Sequence, residues 1–412
     1  MSATTPPTVK PFAMAIPDSS LSLLAAKLAA ATLPPESDFA DDWESGAPLR
    51  DVRRLAARWR DGFDWRAHEA RLNRALPQFT TRVALDGGFG ELEIHLVHQR
   101  SSREGGIPLL FCHGWPGSFL EVIKILPRLT EPDDGGPAFH VVAPSLPGFG
   151  FSEAVTKKGF GLAQYAECLH KVMSALGYNR YVTQGGDWGF FITRMIGLLY
   201  PEHCLASHVN FLTVRPSLLG ALWVGVRHAL GWNSAPERAG LARSKHHLLE
   251  GAGYSLQQST RPATLGFALA DSPVALLAWI YEKLHHWTDD YPWTDDEVLA
   301  WVSIYYFSAA GPAASLRIYY EVGHGASRDD LGKTMAYVPR VPLGVSWFPR
   351  DLWVMPRSWA SLSGPVVFEG EHAEGGHFAA YECPDQLVGD LKTMFGAGGG
   401  ANAVARAFDD AA

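Results

Sequence analysis

The stretch Gln184-Gly185-Gly186-Asp187-Trp188-Gly189 constrains this chain more than any other. Tyr181-Val182-Thr183 leads into it with strand character, and Phe190 to Leu199 continues with helical periodicity. Small residues therefore flank Asp187 on both sides of a strand-to-helix turn. That is the layout of a nucleophile elbow, where the chain turns so sharply that the central residue is held in a strained conformation and needs neighbours without bulk. Ser is the usual occupant. Asp changes the chemistry, because a carboxylate is already ionised at neutral pH and needs no base before it attacks.

The chain before the elbow divides in two. Residues 1–105 do not read as the start of an α/β sheet. Pro17-Asp18-Ser19-Ser20 can cap a helix through Leu21 to Ala31, ended by Pro34-Pro35, and a second helix runs from Leu49 to Trp59. Thr80 to Leu85 and Glu91 to Val97 alternate around Asp86-Gly87-Gly88, which predicts a β-hairpin. The simplest account is an N-terminal segment that wraps the next domain. From residue 106 to 213, apolar strands alternate with helical stretches, which means βαβ units and a mostly parallel sheet.

Residues 214–338 interrupt this rhythm with a helical, aromatic-rich insertion, read as a lid. The α/β pattern resumes over 339–395, with strands near Val341 to Phe348 and Pro365 to Phe368 and a last helix from Pro384 to Phe395. The Gly/Ala-rich residues 396–412 are expected to form a frayed, flexible tail.

In open α/β sheets, ligands bind beyond the carboxyl ends of the strands. Asp187, Asp351 and His377 fall at three such ends, and the chain order nucleophile, acid, histidine is that of an α/β-hydrolase. His377, in Gly375-Gly376-His377-Phe378, would deprotonate water for attack on an ester at Asp187, with Asp351 orienting the imidazole. His372, Glu371 and Glu374 lie close to His377 in sequence and are the rival histidine and acids. His113-Gly114-Trp115-Pro116 would supply an oxyanion-hole donor, the Trp115 N–H, to pair with the N–H of Trp188. Attack of a carboxylate on an sp3 carbon makes an alkyl ester, so strained or activated alkyl electrophiles such as epoxides or alkyl halides are the expected substrates. An opening epoxide needs an acid, and the lid offers Tyr254 and the pair Tyr319-Tyr320.

Composition excludes several classes. The formal net charge is −8, with no basic cluster, which argues against nucleic acid as a partner. The four cysteines are scattered, with no CxxC spacing and no disulfide framework, which fits a reducing compartment or simple core packing. The N-terminal apolar stretch is short and contains Lys27, so neither a signal peptide nor a membrane span is expected and the chain reads as soluble and cytoplasmic. His246-His247 and His285-His286 are adjacent pairs, which on a helix point in different directions, so no metal site is expected.

Assembled, these motifs make the chain resemble the epoxide hydrolases of the microsomal type, including their soluble fungal and bacterial members. The resemblance runs along nearly the whole length. It includes Asp64-Trp65-Arg66 through Leu72-Asn73, His113 to Ser118, Gly185 to Gly189, Gly253-Tyr254 to Pro262, Asp271-Ser272-Pro273, Phe348-Pro349-Arg350-Asp351 and Gly375 to Ala380. It implies Asp187 as nucleophile, His377 as base, Asp351 as orienting acid, and Tyr254 and Tyr319 as ring-opening acids. Tyr319 is placed ahead of Tyr320 because Arg317-Ile318-Tyr319 matches an Arg-aromatic-Tyr pattern, although Ile318 departs from it.

Trp115, Trp188, Tyr254 and Tyr319 are then expected to contact a small hydrophobic epoxide, with water as co-substrate and no cofactor. The soluble members are often dimers, so a homodimer stays open. Two alternatives use the same residues. A hydrolytic dehalogenase would hold a halide with the indoles of Trp115 and Trp188 and would not need the tyrosines. A catalytically dead receptor would not need both His377 and Asp351.

Overall fold

The computed structural model describes residues 8–133, 135–215, 218–325 and 327–409. Its centre is a nine-stranded sheet of order β1-β2-β3-β5-β4-β6-β7-β8-β9. The strands are β1 (Lys10–Phe12), β2 (Gln78–Leu85), β3 (Gly90–Gln99), β4 (Ile107–Cys112), β5 (Phe139–Pro144), β6 (Tyr181–Gly185), β7 (Cys204–Val209), β8 (Leu343–Trp347) and β9 (Val366–Glu371). From β5 to β9 every pairing is parallel. β4, β5, β6 and β8 are buried along their whole length, as expected of strands covered on both faces by crossover helices, and their near-continuous apolar runs reflect that. This is an α/β-hydrolase fold.

Residues 1–105, expected not to belong to the α/β sheet, instead supply three of its strands, β1, β2 and β3, because an edge beside β5 is free to pair. Their hairpin, β2 against β3 with Leu85 opposite Gly90, continues the sheet through antiparallel pairing of β3 with β5. The helices of the same segment face the lid. Arg54 and Arg58 on the helix Leu49–Asp61 pair with Asp295 and Asp296 at the start of the lid helix Asp295–Tyr306.

The insertion expected to be a lid consists of helices between Leu218 and Thr334, after β7 and before β8. Among the described residues no single helix is long and apolar enough to cross a membrane. The expected frayed tail is corrected in part. Asn402–Asp409 forms a helix, and Ala401 and Ala405 are buried against the body of the protein. Small alanines let this helix approach closely, which the Gly/Ala composition concealed. Residues 410–412 lie outside the described residues.

Candidate active site

Asp187 sits between the end of β6 and the helix Trp188–Leu199, with φ 50° and ψ −127°. A non-glycine residue at positive φ costs about 1–3 kcal/mol and persists only where its surroundings enforce it. The surroundings here are tight. A Cβ at Gly185 would lie 2.6 Å from the Gly189 carbonyl oxygen, and one at Gly186 would lie 2.8 Å from the Asn210 amide. A Cβ at Gly189 would run into the carbonyl of Cys112. Thus each small residue around the aspartate answers a specific neighbour.

The turn after β4 meets this elbow. The backbone N–H of Trp115 donates to Asp187 Oδ1 at 2.7 Å. Gly114 permits it, since a Cβ there would collide with the same oxygen. His113 locks the turn by donating from Nδ1 to the Gly114 carbonyl at 2.9 Å and accepting the Leu146 N–H on Nε2 at 3.2 Å. Burial drives its pKa down to about 4, so it stays neutral. The lid completes the support: Trp301 donates to the Pro116 carbonyl and Tyr305 to the Gly117 carbonyl, both at 2.6 Å. Trp188 begins the helix that leaves the elbow, so its N–H has no carbonyl one turn back.

His377 Nε2 stands 3.4 Å from Asp187 Oδ2, and its Nδ1–H donates to Asp351 Oδ1 at 2.6 Å. Burial disfavours a charge on this imidazole. The Asp351 and Asp187 carboxylates override it and raise the pKa to about 10, so the ring is an imidazolium at neutral pH. The loops carrying the pair are joined: Arg350 and Gly376 form a parallel bridge, and the Arg350 N–H donates to the Gly375 carbonyl at 3.0 Å. His372 is elsewhere, bonded to Asp390 at 2.7 Å. Glu371 pairs with Arg357, and Glu374 accepts from Gln386.

The lid places two phenols over this set. Tyr254 stacks on Trp115 at a ring distance of 5.3 Å. Tyr319 meets Trp188 edge-on at 4.8 Å and Tyr254 at 5.9 Å. The Tyr319 hydroxyl is buried with no hydrogen-bond partner of ordinary geometry among the described residues; its polar neighbours are Tyr254 and Trp188. Burial raises the pKa of both phenols well above 10, and the Asp187 charge adds to it, so both are neutral donors. Tyr320 turns away, half-buried and stacked on His324 at 4.2 Å.

Four further residues at the site escaped the sequence reading. Trp287 accepts the His377 N–H on its carbonyl at 2.7 Å and packs its ring against the imidazole. Glu382 accepts the N–H groups of Phe378 at 2.9 Å and Asp289 at 3.0 Å. Arg243, from the lid, donates to the carbonyls of Asp351 at 2.8 Å and Arg350 at 2.5 Å. Glu121 lines the same small cavity as Asp187 and His377. For Glu121 alone there was a sequence signal, the capping pair Ser118-x-x-Glu121. Among the described residues no group of three or more His, Cys, Asp or Glu side chains is placed to hold a metal ion.

As chemistry, a strained carboxylate is held by a backbone N–H on one oxygen. On the other it meets an imidazolium braced by a second acid, under two neutral phenols.

Residues 9–122 match the family model for the epoxide hydrolase N terminus, and residues 107–209 match that for the alpha/beta hydrolase fold. A putative epoxide hydrolase of Stigmatella aurantiaca is 40% identical over 94% of this chain and 84% of its own length. Epoxide hydrolase 1 of Sus scrofa is 34% identical over 84% of this chain and 79% of its own length. Among solved structures, the epoxide hydrolase of Aspergillus niger is similar with a TM-score of 0.80 and 36% identity, covering 93% of this chain and 95% of that one. The juvenile hormone epoxide hydrolase of Bombyx mori is similar with a TM-score of 0.84 and 28% identity, covering 93% of both chains.

Proposed function

This chain belongs to the epoxide hydrolase family, a hydrolase acting on the ether bond of epoxides, and we propose that it makes vicinal diols in two steps through an ester on Asp187. In the first step Asp187 Oδ2 attacks a ring carbon while Oδ1 stays on the Trp115 N–H. The carbon–oxygen bond breaks, and the released alkoxide takes a proton from Tyr254 or Tyr319. Forming the ester removes the Asp187 charge that helped to hold the proton on His377, so the imidazolium gives that proton up and the phenol is restored.

In the second step neutral His377 takes a proton from water, whose oxygen attacks Cγ of Asp187. The charge on Oδ1 develops against the Trp115 N–H, with the Trp188 N–H as second donor. Collapse breaks the Cγ–Oδ2 bond. The departing alkoxide takes a proton from His377, and the acid left on Asp187 returns one to it. Water and epoxide are consumed, one diol is formed, and the resting charges are recovered.

The observation that carries this reading is the placing of the two Asp187 oxygens, one 2.7 Å from the Trp115 N–H and the other 3.4 Å from His377, beneath Tyr254 and Tyr319. The cage of Trp115, Trp188, Trp287 and the two tyrosines favours hydrophobic, aryl-bearing epoxides. Styrene oxide tests it. The unsubstituted protein should form diol, Asp187→Ala neither diol nor ester, and His377→Gln an ester that intact-mass analysis detects as one added substrate. Normal turnover by His377→Gln would overturn the two-step reading.

A further inference from the structure

Between Asp187 and Glu121 lies a cavity of about 10 Å³, room for the centre of a single water. Its walls include Gly114, Gly117, Glu121, Asp187, His377 and Phe378. Two glycines keep it open. A Cβ at Gly114 would run into the Asp187 carboxylate, and one at Gly117 would run into the Glu121 carboxyl. Glu121 lies in the short turn Phe119–Ile123, immediately after the loop that supplies the Trp115 N–H. Its Oε1 accepts the Ser118 N–H at 3.2 Å, which closes the capping box. Capping occupies one oxygen only. The other, Oε2, takes no bond from the described residues, and Glu121 is partly exposed and lines this cavity.

We propose that the Glu121 carboxyl holds the water that hydrolyses the Asp187 ester. The inference rests on the two-step mechanism through that ester. Deep packing lifts the carboxyl to about 8; the charge on His377 opposes the rise and that on Asp187 adds to it. The rise favours the neutral acid at pH 7. With Oε1 accepting from Ser118, Oε2 carries the proton and donates it to the water oxygen. One water hydrogen then points to His377 Nε2, and the remaining lone pair faces Cγ of Asp187. A neutral acid can orient the water without competing with His377 for its proton, which an ionised carboxylate in this position would do.

The two steps are separated by rapid-mixing experiments with styrene oxide, following ester by quenched intact mass. Glu121→Met removes the hydrogen bond to water. It should form ester at nearly the unsubstituted rate, hydrolyse it about ten- to a hundredfold more slowly, and accumulate it. Glu121→Gln keeps an acceptor for Ser118 and a donor toward the cavity, and should restore hydrolysis close to the unsubstituted rate. Hydrolysis by Glu121→Met at the unsubstituted rate would overturn the proposal. So would slowing of both steps together with a lowered Tm, the mark of a role in the turn alone. If Glu121→Met does not fold, a crystal structure of the unsubstituted protein decides. A water within hydrogen-bond distance of both Glu121 Oε2 and His377 Nε2 is expected, and its absence would overturn the proposal. His377→Gln separates the two failures: if it traps ester while Glu121→Met does not, this inference alone falls.

Discussion

Trp115 and Asp187 are joined by a 2.7 Å hydrogen bond from the backbone N–H of the first to Oδ1 of the second, which makes the two carboxylate oxygens unequal. Oδ1 is anchored, and Oδ2 faces His377. In the proposed mechanism Oδ2 becomes the ester oxygen and leaves with the product, while water replaces it on the enzyme. A single turnover in ¹⁸O water with enzyme in excess should therefore label the peptide containing Asp187 and leave the diol unlabelled. Label in the first-turnover diol would mean that water attacks the epoxide directly.

The same contact explains why Gly114 must lack a side chain. Gly114→Ala would push a methyl into Oδ1 of Asp187 and tilt the carboxylate away from its line of attack. We expect kcat/KM to fall by about a hundredfold or more, since small misplacements of a nucleophile have effects of that order. The far-UV circular dichroism should stay close to that of the unsubstituted protein. Activity within a few-fold would show that the elbow tolerates the displacement.

Tyr254 and Tyr319 are neighbours, so each can cover in part for the loss of the other. Tyr254→Phe and Tyr319→Phe should each slow ester formation while leaving ester hydrolysis nearly intact. The double variant should lose about 10²–10⁴-fold in ester formation, the usual range for a general acid. Tyr320→Phe should leave both rates unchanged, because that ring stacks on His324 away from Asp187. A Tyr320→Phe defect as large as that of Tyr319→Phe would reverse the choice between them.

The charge on His377 links stability to pH. Its folded pKa of about 10 lies above the ordinary value of about 6.5, so protonation favours the fold. That contribution is fully present below about pH 6.5 and is lost as pH rises through about 10. Urea denaturation of the unsubstituted protein and of His377→Gln should show a stability difference that changes in this direction across the window. A difference independent of pH would mean that the imidazole is neutral at rest.

Legibility tracked sequence distance. The elbow was readable because Gly185, Gly186, Asp187 and Gly189 are adjacent, and the local backbone conformation demands that pattern. The hairpin around Asp86-Gly87-Gly88 was readable for the same reason, with β2 and β3 close to the expected bounds. That it would extend the central sheet was not, because this depends on which edge remained free beside β5. Tyr319 and Tyr320 could be ranked only by resemblance; adjacent helical residues point in different directions, and packing against Trp188 determined which ring faces Asp187.

Residue order alone specifies the α/β rhythm, the elbow with a carboxylate in place of a hydroxyl, and the order of Asp187, Asp351 and His377. These are matters of periodicity and of local steric demand. How the set is held depends on contacts made in the folded chain. Arg243 grips the carbonyls of Arg350 and Asp351 from 107 and 108 residues away, and Glu382, which also holds the Phe378 N–H, reaches Asp289 across 93 residues. Glu121 faces Asp187 only because β4 and β6 lie side by side. Such contacts leave no local pattern, because the partners come together through sheet register and lid packing, and neither is encoded in the spacing of any one segment.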